Sequence, residues 1–233
     1  MNTNAPISLP QCGKILVFDV ETTGLLPKKN FSPVPTPLTE YPHIIQLSFA
    51  LYDIKQNCVV SQYDSYVKID PTIDICDKIR DLTGITPTIC EKQGRPIIEV
   101  LDEFNRAYKE CDVLVAHNMD FDITMVQTEI KRNYESIIRS SSPNIITTFN
   151  HEYEETIGMV RYCTMKHSVD LCSIWVQPQD PKKKPWKKWA TLAQLYAKLF
   201  DGGTVDGLHN SMVDVLTCLR CYLKMRYDRD VAL

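Results

Sequence analysis

Lys14-Ile-Leu-Val-Phe-Asp-Val-Glu-Thr-Thr-Gly-Leu25 is the stretch on which the fold turns. Apolar and β-branched residues run almost unbroken from Lys14 to Val20, and Thr-Thr-Gly then supplies turn chemistry, so the segment reads as a buried strand. Asp19 and Glu21 stand two apart, and the period of a strand sends both carboxylates to one face. Two like charges at the end of an apolar strand are costly unless cations hold them. The pattern is short, and a pair of solvated acids at a strand end fits it too.

Working outward, Ile44 to Tyr52 and Cys58 to Ile69 read as two further strands joined by the polar segment Asp53 to Asn57, which predicts an antiparallel meander. Pro96 suits a first helical turn, and Ile97, Leu101, Phe104 and Tyr108 follow it at helical spacing. Val113 to Ala116 is a short buried strand, Ile123, Val126 and Ile130 mark a helix, and Arg161 to Met165 a fifth strand. Leu192, Leu195, Tyr196 and Leu199 define another helix. In a last one Met212, Leu216, Leu219 and Leu223 form the apolar face, with Asp214, Thr217, Cys218 and Cys221 on a second face of mostly small residues. The order predicts an α/β layer fold with a mixed sheet. Residues 1–13 read as a tail and 14–228 as a single domain, with loop excursions at 27–42, which holds five of the 14 prolines, and at 139–155.

Composition bounds the class. The chain has 233 residues, 44% hydrophobic and 24% charged, enough to bury a sizeable core. Its longest apolar runs fall far short of the roughly 20 residues of a membrane span, and residues 1–11 lack the pattern of a secretory signal, so an intracellular protein without membrane partners is expected. Nine cysteines without a regular frame suit free thiols, and the lone pair Cys218 and Cys221 reads as small core residues rather than a zinc site. The net charge of -3 advertises no basic field, but carboxylates that hold metal ions lose their negative charge on binding them.

Two more acidic positions stand out. In Ala116-His-Asn-Met-Asp-Phe-Asp122 a buried strand runs straight into a helix, and in His209-Asn-Ser-Met-Val-Asp214 a carboxylate falls within an apolar helix. Singly, each has a structural explanation, as an acid at a helix N-terminus or a capping residue. Together, the segments VFDVETTGL (17–25), LTGIT (82–86), VAHNMDFD (115–122) and LHNSMVD (208–214) resemble, in order and over nearly the whole chain, the DEDDh family of 3′-to-5′ exonucleases, which includes proofreading epsilon subunits and oligoribonucleases. The resemblance implies a ribonuclease H-like fold, a five-stranded mixed sheet flanked by helices. It implies that Asp19, Glu21, Asp122 and Asp214 ligate two Mg2+ (or Mn2+) ions and that His209 is the general base. It also implies that Thr22, Thr23, Leu25, His117, Asn118 and Phe121 meet the terminal nucleotide. Asp122 matches the family acid that follows the phenylalanine, which leaves Asp120 outside the metal set. Cys163-Thr164 stands where the family often has Asp-Thr.

The chemistry suits these residue types. Hydrolysing a phosphodiester brings hydroxide to an anionic phosphorus, a task for two metals held by hard oxygen ligands. A histidine, with a reference pKa of about 6.5, accepts a proton near neutral pH. The expected substrate is a single-stranded or frayed 3′ end of DNA, with RNA as the alternative and a DNA polymerase as a possible protein partner. A non-catalytic scaffold is the third reading. Five lysines and two tryptophans between Lys182 and Trp189 fit either phosphate and base contacts or a solvated loop or import address.

Overall fold

The computed structural model describes residues 13–28, 35–180 and 182–231. Most of the N-terminal tail and part of the 27–42 excursion lie outside the described residues. The chain opens with strands β1 (Lys14–Thr22), β2 (Ile44–Asp53) and β3 (Cys58–Tyr66) and helices α1 (Asp77–Thr83), α2 (Pro87–Gln93) and α3 (Ile97–Glu110). Then come β4 (Val113–Ala116), α4 (Met119–Arg132), α5 (Tyr134–Arg139), α6 (His151–Ile157), β5 (Val160–Cys163), α7 (Thr164–His167) and α8 (Val169–Cys172). A two-stranded ribbon of β6 (Trp175–Val176) and β7 (Trp186–Lys187) precedes α9 (Leu192–Leu199) and α10 (Ser211–Tyr227). No helix among the described residues is long and apolar enough to cross a membrane.

The main sheet has five strands in the order β3-β2-β1-β4-β5. The meander β1-β2-β3 is antiparallel, while β4 lies parallel to β1 and β5 parallel to β4, so the sheet is mixed and β1 lies at its centre. Alternation along β1 divides the core in two. Leu16, Phe18 and Val20 pack with Val100, Phe104 and Val126 of α3 and α4, whereas Ile15 and Val17 pack with Leu195, Val215 and Leu219 of α9 and α10. Asp19 and Glu21 continue the second row.

Four expectations are corrected. β3 stops at Tyr66 rather than Ile69: Val67 still donates to Ile45 O of β2 at 2.9 Å, but from here the chain turns to Arg95, with which Val67 forms an isolated parallel bridge and to whose carbonyl the Lys68 N–H donates. β5 stops at Cys163 rather than Met165, because Thr164 opens α7 with its hydroxyl 2.9 Å from His117 Nδ1. The 139–155 segment is not a loop excursion: it holds a 3-10 turn (Pro143–Thr147) and most of α6, capped by the Asn150 side chain. Ile145 and Phe149 are buried, with Phe149 among the rings of Phe18, Phe104 and Tyr108, while Ile146 is exposed. Glu154 is buried as well and accepts from Tyr108 Oη and Arg161. Finally, α10 buries more than its expected apolar face: Leu219 and Leu223 of that face are fully buried, but so are Ser211, Val215, Cys218, Cys221 and Tyr222, while Met212 and Leu216 are only partly so. Small side chains let the helix settle closely on the sheet. The eight cysteines among the described residues carry free thiols.

If the 139–155 segment is core, Phe149→Ala should cost about 3–5 kcal/mol of unfolding free energy, as large aromatic truncations in a core do. Urea unfolding checks it, and a loss within about 0.5 kcal/mol, typical of surface positions, would return the segment to a loop.

Candidate active site

Three elements converge at the C-terminal end of β1. The strand itself brings Asp19 and Glu21. The β4-α4 junction brings Asp122 on the first turn of α4, and the first turn of α10 brings Asp214. Asn118 makes the sharp turn into α4 with a left-handed φ of 70°, a conformation that asparagine tolerates better than most residues.

The seating of α10 is fixed by a polar network that the sequence did not announce. Asp19 pairs in register with Ser48 of β2, and Glu21 with Gln46. Gln46 Oε1 accepts from the Ser211 backbone N–H at 3.3 Å, and the Ser48 and Ser211 hydroxyls share a hydrogen bond. Asp64 of β3 secures both β2 side chains, accepting from Gln46 Nε2 at 2.8 Å and Ser48 Oγ at 2.7 Å. Asn210 caps the helix through the N–H groups of Met212 and Val213. The start of α10, and with it Asp214, is thereby pinned beside the two β1 carboxylates.

The four acids line a cleft of ≈ 380 Å³ together with His117, Asn118, Phe121 and His209. Burial, reinforced by Asp122, Asp214 and Glu21, lifts the Asp19 carboxyl well above the usual carboxylate range. Burial also raises Asp122 well above it, against hydrogen bonds from the Val20 and Asp122 backbone. Glu21 rises to about 8 through burial and Asp214, and Asp214 to about 6, chiefly through burial. Asp122 Oδ2 and Asp214 Oδ1 are buried with no hydrogen-bond partner. Bare acceptor oxygens in a crowded acidic cleft are costly unless a cation or a proton meets them. His209 stands at the rim with a left-handed φ of 71°, and its N–H donates to Asp214 Oδ2 at 3.1 Å. Glu21, His209 and Asp214 each offer a ligand atom within 4.8 Å of the others.

The substrate-facing candidates divide. Thr22 and Thr23 line the turn after β1, with Thr22 Oγ1 donating to Gly24 O at 2.6 Å. Thr23 is joined twice to His43, through its N–H and its hydroxyl. Leu25 is 81% exposed, so it is not a core residue and presents its side chain to solvent beside the cleft's first strand. Phe121 packs partly on the core and lines the cleft, but both His117 ring nitrogens face protein, Nδ1 toward Thr164 Oγ1 and Nε2 toward Ala190 O at 3.1 Å. Asp120 is exposed and paired with Lys166 at 2.6 Å, whereas Asp122 is buried. Sequence reading marked Trp189 as a residue able to stack on bases but did not place it at the cleft, and it missed Ala190 and Thr191, which line the same wall.

Comparison with known proteins fits this arrangement. Residues 16–222 match the family model of the exonuclease family RNase_T, and the chain belongs to that family. The family is one of exonucleases of the DEDD type, and membership implies divalent-metal dependence. The PolC-type DNA polymerase III of Streptococcus mutans is 35% identical over 118 residues, 51% of this chain and 7% of that one. The same polymerase of Caldanaerobacter subterraneus is 33% identical over 120 residues, 52% of this chain and 7% of that one. Exonuclease I of Escherichia coli with a dT13 oligonucleotide superposes on 93% of this chain and 42% of its own, with a TM-score of 0.57 at 16% identity. A product-bound exonuclease I, 18% identical, superposes on 93% of this chain and 44% of its own with a TM-score of 0.59. That likeness carries the fold. The chain spans less than half the length of exonuclease I and a small part of the polymerases.

Removing a buried charge from the cluster should stabilise the metal-free protein. A carboxyl with a raised folded-state pKa contributes most at low pH and loses that contribution as pH rises toward the folded value. In EDTA, Asp122→Asn should therefore melt at a higher temperature than wild type, by a margin that widens from pH 5 to 8, with Asp120→Asn nearly unchanged. Thermal melts by circular dichroism read this, and a margin that shrinks with pH would contradict the burial of the Asp122 charge.

Proposed function

We propose that the chain removes nucleoside monophosphates one at a time from single-stranded or frayed 3′ ends, on DNA in preference to RNA. Asp19, Glu21, Asp122 and Asp214 would hold two Mg2+ or Mn2+ ions, and His209 would act as general base. The observation that carries this reading is the pair of partnerless buried oxygens, Asp122 Oδ2 and Asp214 Oδ1, within a cleft whose four acids are all held above their ordinary pKa values. Such a donor set is all oxygen and suits hard divalent cations. Bound there, the ions would offset the carboxylate charge and polarise the attacking water and the leaving oxygen.

The remaining work falls to the protein. His209, at the cleft rim beside Glu21 and Asp214, accepts a proton from the attacking water. Leu25 and Phe121 hold the terminal base, and the backbone of the Thr22-Thr23 turn meets the 3′-hydroxyl, which selects a strand end over an internal bond. His117 orders this wall through Thr164 and Ala190 rather than through the nucleotide. DNA is favoured because the PolC-type relatives are DNA polymerases and exonuclease I is seen with DNA oligonucleotides. The same relatives support association with a polymerase.

Asp19→Ala, Glu21→Ala, Asp122→Asn and Asp214→Ala should each lose at least 100-fold in turnover, and Asp120→Asn less than twofold, because only the cleft acids are buried together. EDTA should stop hydrolysis and manganese restore it. His209→Ala should lower kcat by about 10²- to 10⁴-fold, the usual worth of general acid-base help, while the oligonucleotide Kd changes little. Matched 3′-labelled and 5′-labelled single-stranded DNA and RNA of one sequence test direction and sugar together. Loss of the 5′ label first would overturn the polarity, and faster decay of RNA would replace DNA as substrate.

A further inference from the structure

The cleft has one wall that the catalytic reading leaves unused. Between α8 and α9 the chain makes the β6-β7 ribbon, with Trp175 opposite Lys187 and Val176 opposite Trp186. Lys187 is occupied: it bonds Asp170 at 2.6 Å and lies 5.6 Å from the Trp175 ring centre. Lys182, Lys183 and Lys184, in the connection between the two strands, make no ion pair among the described residues and are exposed. From Gln177 to Trp189 five lysines face a single aspartate, in a chain whose net charge is -3. Lys182 to Lys184 precede by five to seven residues Trp189, which lines the acidic cleft.

Trp189 joins ribbon to cleft. Its backbone is held on both sides, by the Lys188 N–H donating to Ile174 O at 2.9 Å and by Ala190 O at His117 Nε2. The side chain between these anchors is 60% exposed and lines the cleft mouth. Among the described residues no aromatic or cationic side chain covers this indole, so its face is free to meet a base. An indole face stacks on any base, and lysines hold phosphates without regard to sequence.

We propose that Trp189 and the lysine connection Lys182–Lys184 form a track for single-stranded nucleic acid leaving the cleft: the indole stacks on a base upstream of the terminal nucleotide, and the lysines bind phosphates beyond it. The occupant is a polynucleotide strand because charge and stacking chemistry are present together, with continuity into the cleft. The track rests on the reading of single strands as substrate, and it makes affinity depend on strand length.

Fluorescence anisotropy in EDTA, with 5′-fluorescein-labelled dT20 and dT3, tests it. Wild type should bind dT20 at least tenfold tighter than dT3. Trp189→Ala should weaken dT20 about tenfold, and Trp189→Phe, which keeps a smaller stacking face, should fall between the two. The triple variant Lys182→Ala, Lys183→Ala, Lys184→Ala should lower the slope of log affinity against log salt by about two, at roughly 0.7 per phosphate contact on single strands. Quenching of tryptophan fluorescence by dT20 should shrink in Trp189→Phe. Variants that bind dT20 as wild type does, with the same quench, overturn the track and leave the lysines as an address read by another protein. Should wild type hydrolyse neither DNA nor RNA while the dT20 losses appear as stated, the substrate reading fails and the track stands.

Discussion

Four carboxylates that repel one another are held in a single cleft, and the rest of the architecture can be understood as the means of keeping them there. Left to itself, such a cluster would open to let water between the charges. Resistance comes from below: the centre of the sheet is apolar on both faces of β1, and the strand cannot rotate Asp19 and Glu21 outward without also exposing Ile15 and Val17. It comes from the side as well. The hydrogen bonds linking Asp64, Gln46, Ser48 and Ser211 run from the edge strand to the helix that carries Asp214, so that acid cannot retreat alone. The strain is local and the support is distributed.

What could be read from the sequence was what repeats over short distances. The alternation of β1 put Asp19 and Glu21 on one face, and the 4-3-4 spacing located α10. The position of Phe121 separated buried Asp122 from exposed Asp120. Reading failed where the deciding contact is long-range. The 139–155 segment carries too many polar residues to show a helical stripe, and its place in the core depends on Ile145 and Phe149 finding rings more than 30 residues away. The inner face of α10 was drawn too narrow, since Cys218, Cys221 and Tyr222 are buried beside Leu219 and Leu223. Gln46 and Ser48 look like ordinary strand polar residues until the β1-β2 register places them beside the acids. Trp189 gave no sign of its proximity to the cleft, since that rests on the bond between Ala190 and His117, 73 residues apart.

One interaction remote from the chemistry has consequences for how this protein can vary. Arg132, at the end of α4, donates to the carbonyls of Leu38, Tyr41 and Pro42 and pairs with buried Glu129 at 2.7 Å, while Glu129 also accepts from the Ile44 N–H. A few residues away, two hydrogen bonds between Thr23 and His43 tie the exit of β1 to the entrance of β2. The two act as a staple across the base of the proline-rich connection. Whatever length or composition that connection takes, its ends leave and rejoin the sheet at fixed points, so changes within it are insulated from the neighbouring carboxylates. Loop closure cost grows only slowly with length, and a stapled base removes most of what would reach the sheet. The connection is thus a place where an added peptide or reporter should be accommodated without moving the catalytic strand.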